Sequence, residues 1–187
     1  QARRKYGSPG VPCGVEAKVV DAEGRALSAG EAGEILLRGP NVMQGYYKAP
    51  ELTAQAIDRG GWLRTGDLGY RDADGFYFIT GRLKELIIKG GENIAPREID
   101  EVLLQHPAVL EAAAVGVPDA DYGQEIFACV VLKPGQRCSE AELRQFCLDE
   151  LGKYKTPKRI RLLEELPKGP SGKVQRLKLV SVAAGSH

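Results

Sequence analysis

The apolar positions of this chain follow two patterns, and the change from one to the other falls near residue 82. Before that residue, short apolar runs end in turn-forming residues, which is typical of strands joined by tight turns. The predicted strands are Ala17–Asp21, Gly33–Gly39 and the two arms of a β-hairpin at residues 61–70 and 75–82. The hairpin is predicted to turn at Asp72-Ala73-Asp74-Gly75, and a short helix is predicted over Glu51–Ile57.

After residue 82, strand patterns alternate with helix patterns. Pro96 opens a helix whose face carries Ile99, Val102, Leu103 and Leu104, beside a buried-looking run at Leu86-Ile87-Ile88. Ser139 and Glu142 form a capping-box pattern at the start of a later helix. The predicted order is a helix at 98–105, strands at Val109–Val117 and Glu125–Leu132, the capped helix, a strand and an exposed loop. This alternation predicts a small α+β domain.

Composition excludes several functional classes. The 187 residues are 43% hydrophobic and 27% charged, which is ordinary for a globular chain that buries a core. A net charge of +1 gives no global reason to bind nucleic acid or an anionic membrane, and no apolar run approaches a membrane-spanning length. The four cysteines lack the spacing of metal ligands, so we expect reduced thiols, a cytoplasmic protein and no metal site.

Three stretches carry the candidate chemistry. They are Gly81-Arg82-Leu83-Lys84-Glu85-Leu86-Ile87-Ile88-Lys89-Gly90-Gly91-Glu92-Asn93-Ile94, Arg64-Thr65-Gly66-Asp67-Leu68, and Leu166-Pro167-Lys168-Gly169-Pro170-Ser171-Gly172-Lys173-Val174-Gln175-Arg176. Together they resemble the adenylate-forming superfamily of acyl-CoA synthetases, peptide-synthetase adenylation domains and luciferases. The third stretch is not a Walker phosphate loop, because Val174 stands where that loop has serine or threonine.

The resemblance implies an α+β fold in two parts. Residues 1–82 would be the β-rich distal part of the large AMP-binding N-terminal domain, which is incomplete here. Residues 83–187 would be the small, mobile α+β C-terminal domain. The upstream phosphate loop, acyl pocket and magnesium-holding glutamate of the family have no counterpart in this sequence. We therefore expect a fragment of a longer polypeptide that does not carry out adenylation alone.

By the same resemblance, Asp67 and Arg82 would bind the nucleotide. One carboxylate has two acceptor oxygens, which suit the two ribose hydroxyls of ATP or AMP. A guanidinium offers a fixed fork of donors to ribose or phosphate oxygens. The alternatives are a turn aspartate that bonds its own backbone, and a surface arginine paired with a nearby carboxylate.

The stretch that begins at Gly81 would serve the second half of the reaction. Lys84 matches the pivot about which the C-terminal domain of the family rotates. Gly90, Gly91 and Glu92 match the loop that this domain presents to coenzyme A, where glycine allows close backbone approach. The alternatives are a solvated lysine in a linker and an ordinary strand-to-helix turn.

Lys173 matches the adenylation lysine, whose ammonium would contact the substrate carboxylate and the α-phosphate of ATP. The alternatives are a basic surface loop or a phosphate-binding loop of another kind. Lys173 also resembles a site of regulatory acetylation in this family. A second hypothesis therefore describes the chain as a module that a lysine acetyltransferase recognises.

The implied function is that of an acyl-CoA synthetase. Its substrates would be a carboxylic acid, Mg²⁺-bound ATP and coenzyme A, and its partners would include the missing N-terminal part of the same enzyme. Gly-Gly-Glu-Asn-Ile after the hinge resembles the coenzyme A ligases more than the peptide-synthetase domains. A carrier-protein acceptor is the runner-up, and a luciferase is disfavoured. The basic residues at 153–161 are expected to contact coenzyme A phosphates or to form a solvated face rather than to bind nucleic acid.

Overall fold

The computed structural model describes residues 4–185, which divide into two compact units between Lys84 and Glu85. The change in sequence pattern predicts a domain boundary two residues earlier, between residues 82 and 83. The glutamine, alanine and arginine at positions 1–3 and the residues at 186–187, including the second histidine, lie outside the described residues. Each unit has its own sheet.

The first unit is a four-stranded antiparallel sheet with strands in the order of the chain. The elements are β1 (Glu16–Val20), β2 (Gly33–Arg38), helix α1 (Pro50–Ala56), β3 (Leu63–Arg71) and β4 (Tyr77–Arg82). Val19, Ile35 and Tyr77 form its small buried core. The hairpin β3–β4 turns where predicted, because the Asp72 carboxylate accepts the backbone N–H groups of Asp74 and Phe76, both at 2.9 Å.

The second unit is a mixed sheet covered on both faces. It contains β5 (Ile87–Lys89), β6 (Glu92–Ile94), α2 (Pro96–Gln105), β7 (Val109–Asp119), β8 (Gly123–Leu132), α3 (Glu140–Lys155), β9 (Arg159–Leu162) and α4 (Leu179–Ala183). The strand order is β6-β5-β8-β7, and β9 pairs in parallel with β8. Together with the antiparallel sheet of the first unit, this confirms the predicted α+β class.

The two faces of this sheet explain why β7 and β8 read as continuous apolar runs. Side chains alternate along a strand, so Ala114 and Ile126 pack toward α2 and α3. Ala113 and Phe127 pack on the other face, against the C-terminal segment that contains Leu166 and Leu179. Leu179 of α4 is fully buried on that second side. A strand with cover on both faces has no polar side, which is why its pattern lacks alternation.

Helix α3 begins with the predicted capping box. The Ser139 hydroxyl accepts the Glu142 N–H at 3.2 Å, and the Glu142 carboxylate accepts the Ser139 N–H at 2.8 Å. Near its other end, Gly152 interrupts the helix with a φ of +71°. This left-handed residue redirects the chain, so the last residues, including Tyr154, follow a different course from the main helix.

Three expectations from the sequence are wrong. Ile88 is half exposed, because the short strand β5 turns Ile87 and Lys89 inward instead. Leu104 is also half exposed, since the buried face of α2 is narrower than the apolar pattern suggests. After residue 157 only a strand and an exposed loop are predicted; residues 170–173 are indeed exposed, but a 3₁₀ turn at Arg176–Lys178 and helix α4 follow them, and Leu179 completes the core.

The cysteines carry no disulfide among the described residues. Burial raises the pKa of the Cys129 and Cys147 thiols to about 11, so both are protonated and unreactive at neutral pH. Within residues 4–185, no helix has the length and apolarity that a membrane crossing requires.

Candidate functional site

Asp67 and Arg82 lie directly opposite each other on the hairpin of the first unit. They are register partners of β3 and β4, and the Arg82 Nε is 2.9 Å from the Asp67 carboxylate. The Thr65 hydroxyl donates to the Ile35 carbonyl at 2.6 Å and accepts the Asp67 N–H at 3.0 Å, which fixes the backbone before the carboxylate. Arg82 is 61% exposed, so its guanidinium can still reach a ligand.

Asp67 also borders an apolar pocket of about 210 Å³ in the first unit. The walls include Pro9, Val11, Ala17, Leu37, Tyr77 and Ile79. Gly66, next to Asp67, has a φ of +70°, and the strand pairing shifts register just after Leu68. A bulge of this kind redirects side chains at the edge of a site. The Asp67 carboxylate therefore borders an open, largely apolar surface.

Lys84 lies in a 3₁₀ turn, Leu83–Glu85, at the division between the two units. Its side chain is exposed, and no hydrogen bond or ion pair holds it within residues 4–185. A single turn of this type is a common connector, and it places little packing constraint on the backbone dihedrals of Lys84.

Gly90 and Gly91 form the two-residue turn of the hairpin β5–β6. Their φ values are +55° and +86°, and Lys89 pairs with Glu92 across the turn. Positive φ at both central residues is the type I′ arrangement, which glycine adopts without steric cost. The turn and Glu92 are exposed, so the backbone is accessible to a ligand.

Lys173 lies in the tight turn that joins Lys168 and Val174, which form an isolated bridge. The Gly169 N–H donates to the Lys173 carbonyl at 2.9 Å, and Gly172 has a φ of +76°. The Lys173 side chain is exposed and has no ion-pair partner among the described residues. Its neighbour Lys168, by contrast, pairs with Glu111 at 2.7 Å.

Arg176 anchors the base of this turn, a role that the sequence did not reveal. Its guanidinium is 2.7 Å from the Asp100 carboxylate and 3.1 Å from that of Glu85, and it donates to the Ala114 carbonyl at 2.5 Å. Burial raises the pKa of Asp100, although the ion pair with Arg176 partly opposes that shift. The available signal was Asp100, a charged residue on the apolar face of α2.

Lys89 is a second buried charge, and it was not among the predicted site residues. It pairs with Glu125 at 2.6 Å directly beneath the Gly90–Gly91 turn, and both side chains are almost fully buried. The signal in the sequence was the period of two in β5, which turns Lys89 to the same side as Ile87.

Of the basic residues at 153–161, Lys158, Arg159 and Arg161 line one pocket of the second unit, and several of these cations already have partners. Lys155 pairs with Glu98 at 2.7 Å, Lys158 pairs with Asp119 at 2.8 Å, and Arg161 donates to the Val182 carbonyl at 2.7 Å. These cations are occupied within the second unit, which favours the solvated face over a phosphate site.

The predicted site residues thus fall into separate groups. Asp67 and Arg82 are in contact, and Gly90, Gly91 and Glu92 share one turn. Within residues 4–185, no hydrogen bond or ion pair joins Lys173 to that turn. No group of three or more metal-binding side chains occurs in the same range.

Two family models match the chain in the same order as the two units. The AMP-binding enzyme model matches residues 1–47, and the AMP-binding enzyme C-terminal domain model matches residues 98–173. The chain belongs to the AMP-binding enzyme family. This adenylate-forming family is the one indicated by the three sequence motifs, so that recognition is confirmed.

Curated relatives of this AMP-binding chain are named as CoA ligases. It is 64% identical to a sulfoacetate–CoA ligase of Cupriavidus necator, over 97% of this chain and 36% of the relative. It is 47% identical to a 2-succinylbenzoate–CoA ligase of Geobacillus kaustophilus, over 94% of this chain and 36% of that relative. An oxalate–CoA ligase of Arabidopsis thaliana is 44% identical, over 92% and 33%. The chain therefore spans about a third of the length of these relatives.

Solved structures of the family show the same fold. The ATP-bound MatB of Rhodopseudomonas palustris matches with a TM-score of 0.90 at 38% identity, over 94% of this chain and 35% of that one. The apo form of the same protein matches with a TM-score of only 0.69, over 96% and 36%. Those two structures of MatB therefore differ from each other within the region that this chain covers.

Proposed function

We propose that this chain forms the C-terminal part of an ATP-dependent ligase that joins a carboxylic acid to the thiol of coenzyme A. The observation that carries the proposal is the combination of an exposed, unpaired lysine on a tight turn with CoA-ligase relatives that cover nearly all of this chain. The first unit would contribute to the nucleotide site, and the second would be the smaller C-terminal domain.

In the first half-reaction, a carboxylate oxygen attacks the α-phosphate of Mg²⁺-bound ATP, which gives acyl-AMP and releases pyrophosphate. The Asp67 carboxylate would accept hydrogen bonds from the ribose hydroxyls, and Arg82 would contact ribose or phosphate oxygens. Lys173 would place its ammonium beside the oxygens on which negative charge develops. Mg²⁺ enters as part of the nucleotide substrate, and its protein ligands are expected mainly outside this chain.

In the second half-reaction, the thiol of coenzyme A attacks the acyl carbonyl and AMP leaves. We propose that the second unit turns about Lys84, which withdraws Lys173 and brings the Gly90–Gly91 turn and Glu92 to the pantetheine arm. The difference between the ATP-bound and apo structures of MatB supports movement in this part of the family. The exposed type I′ turn offers main chain without side chains, which suits a thin substrate arm.

We further propose that the acid carries a second acidic group. Sulfoacetate, oxalate and 2-succinylbenzoate, the acids named for three relatives, all have one. Sulfoacetate is the first candidate, because that relative is 64% identical.

The test is a panel of acids on the full-length enzyme that contains this chain. Pyrophosphate release and thioester formation would be measured with and without coenzyme A, using sulfoacetate, oxalate, 2-succinylbenzoate and acetate. We expect a coenzyme A thioester of sulfoacetate and little turnover of acetate. Acyl-AMP formation that is followed by transfer only to a carrier protein would support the runner-up and contradict the proposed acceptor.

Recognition of the chain by a lysine acetyltransferase stays a prediction, as does the cytoplasmic location. Exposure of Lys173 on its turn makes that side chain accessible for acetylation. Mass spectrometry after incubation with a lysine acetyltransferase and acetyl-CoA tests this hypothesis. Modification of other lysines while Lys173 remains free would contradict it.

A further inference from the structure

A buried cation lies directly beneath the Gly90–Gly91 turn. Lys89 is the last residue of β5, and only 6% of it is exposed. Lysine keeps its ammonium in water at most positions, because the charge is strongly hydrated. Here the strand turns the side chain inward instead, so the protein must provide the ammonium with partners.

The partners come from two elements other than the hairpin. The Lys89 Nζ is 2.6 Å from the Glu125 carboxylate of β8 and donates to the Tyr154 carbonyl at 2.9 Å. The Tyr122 and Tyr154 rings flank the ammonium, with centroids at 5.5 Å and 5.1 Å. A cation near the aromatic faces gains further attraction from the ring quadrupoles.

The same residues also hold the backbone of the turn. The Tyr154 hydroxyl donates to the Lys89 carbonyl, so Lys89 and Tyr154 exchange two hydrogen bonds. The Gly90 N–H donates to the Tyr122 carbonyl at 2.9 Å. A Cβ on Gly90 would lie 3.2 Å from the Tyr154 hydroxyl oxygen, so the turn rests closely on that ring. The backbone on the Gly90 side of the turn is thus fixed by contacts to Tyr122 and Tyr154.

This cluster is a costly way to fill a core. A buried ion pair must repay the loss of hydration of two ions, and apolar side chains of similar volume often stabilise a fold equally well. The cluster does provide a fixed geometry, because each of its hydrogen bonds is directional and holds the bonded groups in one arrangement. Because this hydrogen-bonded ion pair lies at the base of an exposed glycine turn, its role is to position the backbone of that turn.

We propose that Lys89, with Glu125 and Tyr154, is a positioning residue that holds the Gly90–Gly91 backbone in place for the coenzyme A half-reaction. This inference rests on the proposed function. It adds that the buried cluster, and not the glycines alone, sets the affinity for coenzyme A and the rate of thioester formation. We assign the ammonium no contact with coenzyme A, because the Lys89 side chain is almost fully buried.

The experiment uses the full-length enzyme and three variants. Lys89→Met combined with Glu125→Gln removes both charges, so no unpaired buried ion remains. Tyr154→Phe keeps the ring and removes the hydrogen bond to the Lys89 carbonyl. Lys133→Met is the control, because it removes an exposed ammonium of the same unit whose one hydrogen bond within residues 4–185 is to the Pro107 carbonyl.

Adenylation is measured as exchange between ATP and pyrophosphate with sulfoacetate as the acid. The second step is measured by mixing preformed acyl-AMP on the enzyme with coenzyme A. We expect exchange within about twofold of the wild type in all variants. In the double variant we expect the second-step kcat/KM for coenzyme A to fall about 10- to 100-fold, mainly through KM, as a misplacement near 1 Å would cause. In Tyr154→Phe the second-step kcat/KM should fall by a smaller factor, and in Lys133→Met it should equal that of the wild type.

Two results would overturn the inference while the proposed function stands. One is an unchanged second step in the double variant with a normal melting temperature. The other is an equal loss of both half-reactions, which would indicate a purely structural role. If the wild-type enzyme forms acyl-AMP but no coenzyme A thioester from any acid of the panel, the proposed function itself fails, and this inference fails with it.

Discussion

Two turns of the second unit differ in how they are held. The Gly90–Gly91 turn rests on a buried ion pair and two tyrosines immediately below it. The turn that carries Lys173 is held by its own backbone hydrogen bonds, by the Lys168–Glu111 ion pair and, at its base, by Arg176, and its tip is exposed. The first turn offers fixed backbone and the second offers a long cation with freedom to move. We propose that this difference matches their half-reactions, one at a thin thiol arm and the other at a charged nucleotide.

The largest expected effect comes from removal of the Lys173 ammonium. In the full-length enzyme, Lys173→Ala should lower acyl-AMP formation at least about 10²-fold, because a positioned charge at the reacting oxygens is lost. Thioester formation from supplied acyl-AMP should stay within a few-fold of the wild type. Pyrophosphate exchange and a thioester assay measure the two steps.

Lys168→Met provides the matched control, since it removes a lysine of the same turn that already pairs with Glu111. It should leave both steps nearly unchanged. An equal loss of both steps in Lys173→Ala would contradict the role assigned to that residue.

The next effect concerns the anchor at the base of the same turn. Arg176→Met should destabilise the second unit by about 3–5 kcal/mol, since the Asp100 carboxylate would remain buried without its partner. Adding Asp100→Asn should recover part of that loss, because the buried charge is then gone. Urea unfolding of both variants measures the change. Equal stability of the single variant and the wild type would show that the anchor contributes nothing.

Restriction of the hinge should affect the second half-reaction and spare the first, which is the reverse of the effect expected for Lys173→Ala. Proline fixes φ, so Lys84→Pro should spare adenylation and slow thioester formation, by about 10-fold or more. Lys84→Ala keeps the backbone freedom and should behave as the wild type. Normal rates of both steps in Lys84→Pro would contradict the proposed role of Lys84 as a hinge.

The smallest effect concerns the segment that holds Tyr122. The hydrogen bond from Lys158, together with the backbone N–H groups of Tyr122 and Asp121, lowers the pKa of Asp119 to about 2, and the Tyr122 N–H donates to that carboxylate at 3.1 Å. An acid with a lowered folded-state pKa stabilises the fold above its ordinary pKa of 3.8, and that contribution is lost as pH falls toward 2. Lys158→Met should raise the pKa of Asp119 toward its ordinary value, which an NMR titration of the carboxyl carbon would detect. An unchanged titration would contradict the assigned cause.

Much of the fold could be predicted because local chemistry specified it. The capping box at Ser139, the Asp72 turn and the apolar runs of β7 and β8 all act through neighbours in sequence. The buried ions could not be predicted in the same way. Lys89 and Glu125 are 36 positions apart, and Arg176 and Asp100 are 76 apart, so only the folded sheet brings them together. The tail was misjudged for a similar reason, since Leu179 has no local pattern that shows it completing a core.

For the candidate site, the residue patterns located the turns but not their supports. The glycines make the turns at Gly90-Gly91 and Ser171-Gly172-Lys173 recognisable in the sequence. The residues that hold these turns are tyrosines and charged residues at distant positions, which no local pattern marks. The roles of Asp67, Arg82, Lys84 and Lys173 came from family resemblance, and they stay proposals until the half-reactions are measured.

We propose that the second unit takes two orientations about Lys84, one for each half-reaction. A distance measured by pulsed electron resonance between spin labels at Arg59 and Glu150, both exposed, tests it most directly in a full-length enzyme without other reactive cysteines. With Mg²⁺-bound ATP and sulfoacetate we expect one distance distribution, and with AMP and coenzyme A a clearly shifted one. A single unchanged distribution under both conditions would contradict the account.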